Sequence, residues 1–350
     1  MRNKKFIKSV FFISFLLLNF SFATENELKI SVAELMNVET KQIELKKQTE
    51  GMTSSQSYSF TLNDKKYIVK IFAEKHNLEY RKKEVNVTKI FSDLGLGAKL
   101  IAVGDKHSFY IREYLPGRTL KYSDLQDNKT LITLAKALRK LHKHKEAGEI
   151  KPSRTLLDRA EKHFQSLVKK DIATPSGFEE SYTKFKDLIK SLKVTEGFCH
   201  NDLNPQNIIL TPEGKIYLID FANSGYSNTY EDLGYLTLLN GISEQKLEQF
   251  LIAYYERKPT QEEMAQIKLA QKVVCFVSAT VYFDFSESEK DKGIDKKTRT
   301  ENLDKMMKSP EVKSMIEYIK ENKVVSVKSQ RKDDVKRYAI SCYKNWLQTR

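Results

Sequence analysis

Four residues have the types and spacing to do chemistry together. His200, Asp202 and Asn207 stand in the run CHNDLNPQN, and Asp220 ends the apolar run of KIYLIDFANSG. H-x-D-x-x-x-x-N followed by a strand that closes on aspartate is the layout of a phosphoryl-transfer loop. In such a loop Asp202 accepts or orients the proton of an attacking hydroxyl. Asn207 and Asp220 offer hard oxygens that suit Mg2+ beside a triphosphate. His200 reads as structural, fixing the loop backbone through hydrogen bonds. The plain alternative is a polar turn between two strands, and the constellation as a whole argues against it.

These residues need elements to hold them. Two short strands joined by Thr211-Pro212-Glu213-Gly214 form a hairpin, and a hairpin brings its outer ends, Asn207 and Asp220, close together. Upstream, KQIELKK, SYSFTL and KKYIVKIF read as strands, with Asn63-Asp64 turning between the last two. A helix is expected from about Asn77 to Leu94, stopped by Gly95 and Gly97. AKLIAVG and SFYIREYL follow as strands, and Pro116-Gly117 closes the segment. Beyond it, Leu131, Leu134, Leu138 and Leu141 recur at helical spacing. Further helices are expected at 156–170 and 178–193, and after the hairpin the chain reads as almost wholly helical. The fold class is therefore α+β. Residues 24–116 make a small β-rich lobe of five strands and one helix, and 117–350 a larger, mainly helical lobe.

Lys70 shares a strand face with Ile68 and Phe72, where a charge is costly unless paired. Glu84 lies in the apolar stripe of the following helix, with Tyr80, Val87, Phe91 and Leu94. One acid and one lysine on facing apolar surfaces suggest an ion pair of the kind that steadies a lysine against nucleotide phosphates.

The segments FCHNDLNPQNIIL, IYLIDFANSG and YEDLGYL resemble the choline/ethanolamine kinase family, within the aminoglycoside-phosphotransferase-like kinases. The resemblance covers roughly residues 45 to 290. It implies a protein-kinase-like two-lobe fold, ATP and Mg2+ as cofactors, and a small alcohol as phosphate acceptor. It also implies Lys70 and Glu84 as the lysine–glutamate pair and IREYLPG as the interlobe hinge, with backbone near Glu113 to Leu115 holding the adenine. Thr53, Ser54 and Ser55 would cover the phosphates, and Asp232 would brace the catalytic loop. Asn201 points toward the choline and ethanolamine members. Two departures stand out: a single Gly51 in TEGMTSSQSY where relatives usually carry two, and DFANSG where relatives often have DFEYSG. The second bears on the substrate rather than on the reaction class.

A quaternary ammonium is held by aromatic faces and an acid. Tyr230, Glu231, Tyr282 and Asp284 are the candidates for that role, against an ordinary aromatic core. The alternatives to a choline or ethanolamine kinase are an aminoglycoside or other small-molecule kinase and an exported pseudokinase acting as a binding module. The net charge of +14 is spread over many polar helix faces and no nucleic-acid motif is present, so no nucleic-acid partner is expected. Cys199, Cys275 and Cys342 are few and far apart, which suits neither a disulfide framework nor a zinc site. MRNKKFIK, SVFFISFLLLNF and SFA read as a secretory signal over 1–23, with an uncleaved anchor as the alternative. Export would then require delivery to a compartment that contains ATP. No second segment reaches membrane length, so no stable span is expected once the signal is removed.

Overall fold

The computed structural model describes residues 24–48, 55–145, 150–322, 325, 327, 329 and 331–348. The expected signal over 1–23, and Thr53 and Ser54 of the phosphate-covering loop, lie outside these residues. The chain divides into two compact units. One takes the chain up to Lys82 together with Ile101–Arg112, the other Lys83–Leu100 and everything from Glu113 onward.

The first unit carries helix α1 (Glu25–Met36) and strands β1 (Lys46–Gln48), β2 (Gln56–Leu62), β3 (Lys65–Ile71), β4 (Leu100–Val103) and β5 (Phe109–Glu113), in the sheet order β1-β2-β3-β5-β4. The Asn63-Asp64 turn has φ of 49° and 60°, both left-handed. That geometry matches the twist of the flanking strands, and Asn and Asp tolerate it. It sets the β2–β3 register with Leu62 opposite Lys65. The sequence reading did not foresee α1. Thr24 caps it by accepting from the Glu27 N–H at 3.2 Å, and the Glu27 carboxylate accepts from the Thr24 N–H at 3.3 Å. Leu28, Val32 and Ala33 then bury one helix face in a core with Phe60, Val69, Phe109 and Ile111. KQIELKK is only partly a strand. Thr40–Gln42 forms a 3-10 turn, and Ile43 enters the core from a loop before pairing starts at Lys46.

The second unit begins within α2 (Leu78–Asp93) and continues through β6 (Arg118–Thr119), α3 (Asn128–His142), α4 (Leu156–Lys169), α5 (Phe178–Ser191) and β7 (Glu196–Cys199). The hairpin strands β8 (Ile208–Leu210) and β9 (Ile216–Leu218) follow, then β10 (Gly225–Asn228), α6 (Thr229–Leu239), α7 (Glu244–Tyr255), α8 (Gln261–Asp284), α9 (Lys296–Lys308), α10 (Met315–Lys320) and α11 (Lys332–Gln348). The helices expected at 77–94, 156–170 and 178–193 are all present, and the leucine stripe of α3 is buried as expected. Two small sheets, β6-β8-β9 and β10-β7, frame the loop that carries His200 to Asn207. Among the described residues no helix is long and apolar enough to cross a membrane.

Helix α8 packs against α4, α5, α6 and α11. Thr260 and Glu263 form a capping box at its start, and Arg257 holds Glu263 in a two-pronged pair at 2.6 and 2.8 Å. That pairing drives the Glu263 carboxyl down to about 2. From Val273 to Val277 the helix is buried on every side, against the cores of α4, α5 and α11. Where α6 crosses it, Gly234 allows the close approach: a Cβ there would lie 2.5 Å from Ala270 Cβ and 2.8 Å from its backbone carbon. Helix propensity alone favours alanine over glycine by about 1 kcal/mol. Overpacking against backbone costs about 1–3 kcal/mol, and here the neighbour is a helix that cannot yield. Gly234→Ala is thus expected to lower the urea midpoint of unfolding. A raised midpoint would show that α6 can slide.

Candidate active site

The loop between β7 and β8 is built around a buried carboxylate. Asp232, near the start of α6, accepts from the backbone N–H of His200 at 3.0 Å and of Asn201 at 2.8 Å. His142 Nε2, from the end of α3, lies 2.9 Å from the same carboxylate, and the Tyr254 hydroxyl lies 2.7 Å from His142 Nδ1. Burial alone would raise the Asp232 carboxyl, but the His142 bond and charge, with the His200 contacts, hold it below its ordinary value. Asp232 thus ties α6 and the end of α3 to the backbone of this loop. Asn201 adopts a left-handed φ of 62°, its side-chain oxygen accepting from Ser227 Oγ at 2.7 Å. His200 is fully buried, and its Nε2 donates to the Ile219 carbonyl at 2.9 Å, which assigns the ring proton to Nε2.

Three backbone and amide contacts gather the chemistry-bearing residues. Asn207 Nδ2 donates to the Asp202 carbonyl at 2.8 Å and toward its Oδ2 at 3.3 Å. Asn207 is set by the 3-10 turn Pro205–Asn207, which Asn204 caps through the Gln206 N–H. The Ile219 N–H then donates to the Asn207 carbonyl at 3.0 Å, so β9 delivers Asp220 beside Asn207, as the hairpin argument expects. Asp220 itself has φ 64° and ψ 67°, a left-handed conformation that sets its side chain off the strand direction. Phe221 next to it stacks on Phe91 of α2 at 4.0 Å, and the Leu218 N–H donates to the Leu96 carbonyl at 2.7 Å.

Around Asp202 lie residues the sequence did not single out. The Tyr235 hydroxyl donates to Asp202 Oδ1 at 2.9 Å. Arg159, on α4, donates to the Tyr235 hydroxyl at 3.3 Å and to the Asn201 carbonyl at 3.4 Å, and its guanidinium is 3.9 Å from Asp202 Oδ1. Asn223, at the position where DFANSG departs from DFEYSG, ties two loops together. It accepts from the Arg154 N–H at 2.8 Å and donates to the carbonyls of Arg154 at 3.0 Å and Asn201 at 3.3 Å.

The four candidate substrate residues are not brought together. Tyr230 is buried in the core with Leu233 and Tyr254, a correction to its expected place in a substrate cage. Asp284 is likewise corrected: it accepts from His163 Nδ1 at 2.8 Å, Ser166 Oγ at 2.6 Å and Lys170 Nζ at 2.9 Å, so it clamps α8 to α4. Glu231 lines a cavity with Arg159, Asn201, Asn223 and Tyr235, where burial pushes its carboxyl up to about 7. That cavity holds about 10 Å³, room for roughly one water and not for a substrate. Tyr282 packs into the helical core. Its hydroxyl donates to the Val325 carbonyl at 2.7 Å and its ring meets Tyr338 edge-on at 4.6 Å. Burial, with a contribution from the Asp202 charge, raises its phenol.

Of the expected nucleotide-binding residues, Lys70 and Ser55 lie in the first unit, Lys70 opposite Ser57 in the β2–β3 ladder. Glu84, Glu113 and Leu115 lie in the second. Glu84 is buried on α2, and the Glu113 N–H donates to the Lys99 carbonyl at 2.9 Å. Within the Asp232 bracket, His142, Cys199 and Asp232 bring their ligand atoms within 4.8 Å of one another. Burial, and then the Asp232 charge, pushes the Cys199 thiol well up, and its Sγ donates toward the carbonyls of Gly197 and Ser227. Two of the three, His142 and Asp232, are already bonded to each other and hold the loop, so the group serves the core that carries it.

The fold is protein-kinase-like and is shared with solved structures. The choline kinase LicA from Streptococcus pneumoniae superposes with a TM-score of 0.57 at 24% identity, over 79% of this chain and 96% of that one. The streptomycin-ATP-APH(2")-IIa ternary complex gives 0.53 at 15% identity, over 82% and 97%. The choline/ethanolamine kinase family model matches residues 45–283, and the chain belongs to that family. A probable ethanolamine kinase from Arabidopsis thaliana is 31% identical over 171 residues, 45% of this chain and 45% of that protein. The chain spans about half the length of the curated relatives it matches.

Proposed function

We propose that this protein is a small-molecule kinase that transfers the γ-phosphoryl group of ATP to the hydroxyl of a small amino-alcohol, ethanolamine or choline. The observation that carries the proposal is the gathering of Asp202, Asn207 and Asp220 by one loop and one hairpin, through the Asn207 amide and the Ile219 N–H. In the reaction the substrate oxygen forms the new bond to phosphorus as the bond from the γ-phosphorus to the bridging oxygen breaks. The hydroxyl proton leaves toward the Asp202 carboxylate, which lines up the oxygen for attack.

Asn207 and Asp220 would hold Mg2+. The Asn207 amide turns its nitrogen toward Asp202, which directs its oxygen elsewhere, and an amide oxygen with a carboxylate is a donor set suited to a hard cation. When bound, that ion would neutralise phosphate charge. Lys70 and Ser55 are proposed to serve the nucleotide phosphates, and Glu113 to Leu115 the base. The 31% identical probable ethanolamine kinase from Arabidopsis thaliana favours ethanolamine over larger acceptors.

The test is ADP release by the purified chain with Mg2+-ATP against ethanolamine, choline and a panel of aminoglycosides. Turnover with one amino-alcohol, lost on adding EDTA and regained with excess Mg2+, is the expected result. Turnover with aminoglycosides alone would replace the acceptor but keep the chemistry. ATP binding without turnover on any acceptor would fit a binding module instead.

A further inference from the structure

We infer that Arg159 and Tyr235 are positioning residues that fix the Asp202 carboxylate for the incoming hydroxyl, an inference that rests on the phosphoryl-transfer reading. Asp202 is on a loop and its side chain is 31% exposed, so its own backbone does not determine where its oxygens point. Three side-chain donors determine it, the longest of them Asn204 Nδ2, which reaches Oδ1 at 3.4 Å. Asn207 Nδ2 approaches Oδ2, and the Tyr235 hydroxyl donates to Oδ1 at 2.9 Å.

A hydroxyl has one proton, and the direction in which Tyr235 gives it is set from behind. Arg159 is donor only, and its Nη1 points at the Tyr235 oxygen at 3.3 Å. Tyr235 therefore accepts from Arg159 and donates to Asp202, a polarised chain that runs from cation to carboxylate. Burial and then the Asp202 charge raise the Tyr235 phenol, so the hydroxyl keeps its proton. The guanidinium also lies over the Tyr235 ring, 5.6 Å from its centre, and its other arm reaches the Asn201 carbonyl. Helix α4 is thereby latched to α6 and to the catalytic loop by one side chain. Lysine can reproduce the charge but not the fork.

This arrangement differs from a structural tie in what it controls. The hydrogen bonds end on the oxygen atoms that must face the substrate, and a shift of about 1 Å in a reacting group can lower a rate about 100-fold. The nucleotide is not touched by either residue in this scheme.

The test is steady-state kinetics of the purified chain with Mg2+-ATP and the amino-alcohol it turns over. The variants are Tyr235→Phe, Arg159→Met and Arg159→Lys, each alone and in an Asp202→Ala background. Tyr235→Phe is expected to lower kcat about 10- to 100-fold, the loss of one hydrogen bond to a charged group, with the KM for ATP unchanged. Arg159→Met should act alike, and Arg159→Lys should regain part of the loss. In the Asp202→Ala background Tyr235→Phe should change nothing further. Folded variants with unchanged kcat, or an equal loss with and without Asp202, would overturn the inference and leave the kinase reading in place. An Asp202→Ala protein as active as the wild type, or a wild type without turnover, would overturn both.

Discussion

Asp202→Ala is expected to lower kcat by about 100- to 10,000-fold, the usual range for removal of a positioned acid–base group, while the protein still binds ATP. Alanine is the cleaner replacement. Both Asp202 oxygens face donors, Tyr235 Oη on one side and Asn207 Nδ2 on the other. Asparagine would turn an NH2 toward one of them, set donor against donor, and disturb Asn207 as well. Alanine removes the acceptor from a side chain that is partly open to water, so its former partners can be rehydrated. The measurement is kcat and the KM for ATP, with the urea midpoint as a check on folding. A loss below tenfold in a folded protein would remove Asp202 from the reaction.

Asp232→Ala should act on the fold before it acts on the rate. Three donors converge on this carboxylate, the N–H groups of His200 and Asn201 and the His142 ring, and His200, His142 and Asp232 are all buried. Water cannot take over as it can at Asp202. Breaking a buried charged network by removing one partner costs about 3–5 kcal/mol, a large part of the roughly 5–15 kcal/mol that holds a domain together. Chemical denaturation reads the loss directly. A change under about 1 kcal/mol, the level of an ordinary surface substitution, would mean that the loop is held by other contacts.

The same carboxylate adds a pH dependence whose sign follows from its shift. Its folded value lies below the ordinary 3.8, because His142 and the His200 contacts outweigh burial. The folded state therefore binds this proton less readily than the unfolded state. Its stabilisation is complete above the ordinary carboxylate range and is lost as pH falls through that range and below it. In the Asp232→Ala protein this component of acid unfolding should be missing.

The clustering of the candidate site was legible because its parts are close in sequence. His200, Asp202, Asn207 and Asp220 sit on one loop and one hairpin; the hairpin brings Asn207 and Asp220 together, and the loop carries His200 and Asp202 alongside. The long amphipathic helices were legible for a similar reason, since α2, α4 and α5 each declare an apolar face within their own span. What stayed hidden came from distant elements. Arg159 on α4 reads as one more exposed basic residue, and Tyr235 as an apolar residue of α6, until tertiary packing places both at Asp202. His142 looks like the end of a leucine helix, yet it completes the Asp232 bracket. Substrate residues were misjudged through helix geometry. Tyr230 and Glu231 are adjacent in sequence, but neighbours on a helix point about 100° apart, so one enters the core and the other faces Arg159. Tyr282 and Asp284 diverge in the same way. Helix α1 went unread because Leu28, Val32 and Ala33 give only a short stripe.

The stack of Phe221 on Phe91, with the Leu218–Leu96 hydrogen bond beside it, makes α2 and the Asp220 segment a single mechanical body. Gly97 lies in the bend between them, where an added Cβ would meet Phe91 at 2.9 Å and Phe221 at 3.1 Å. No slack is left in that joint. Any displacement of the helix that bears Glu84 must drag the carboxylate of Asp220 with it, so the molecule cannot adjust one without retuning the other.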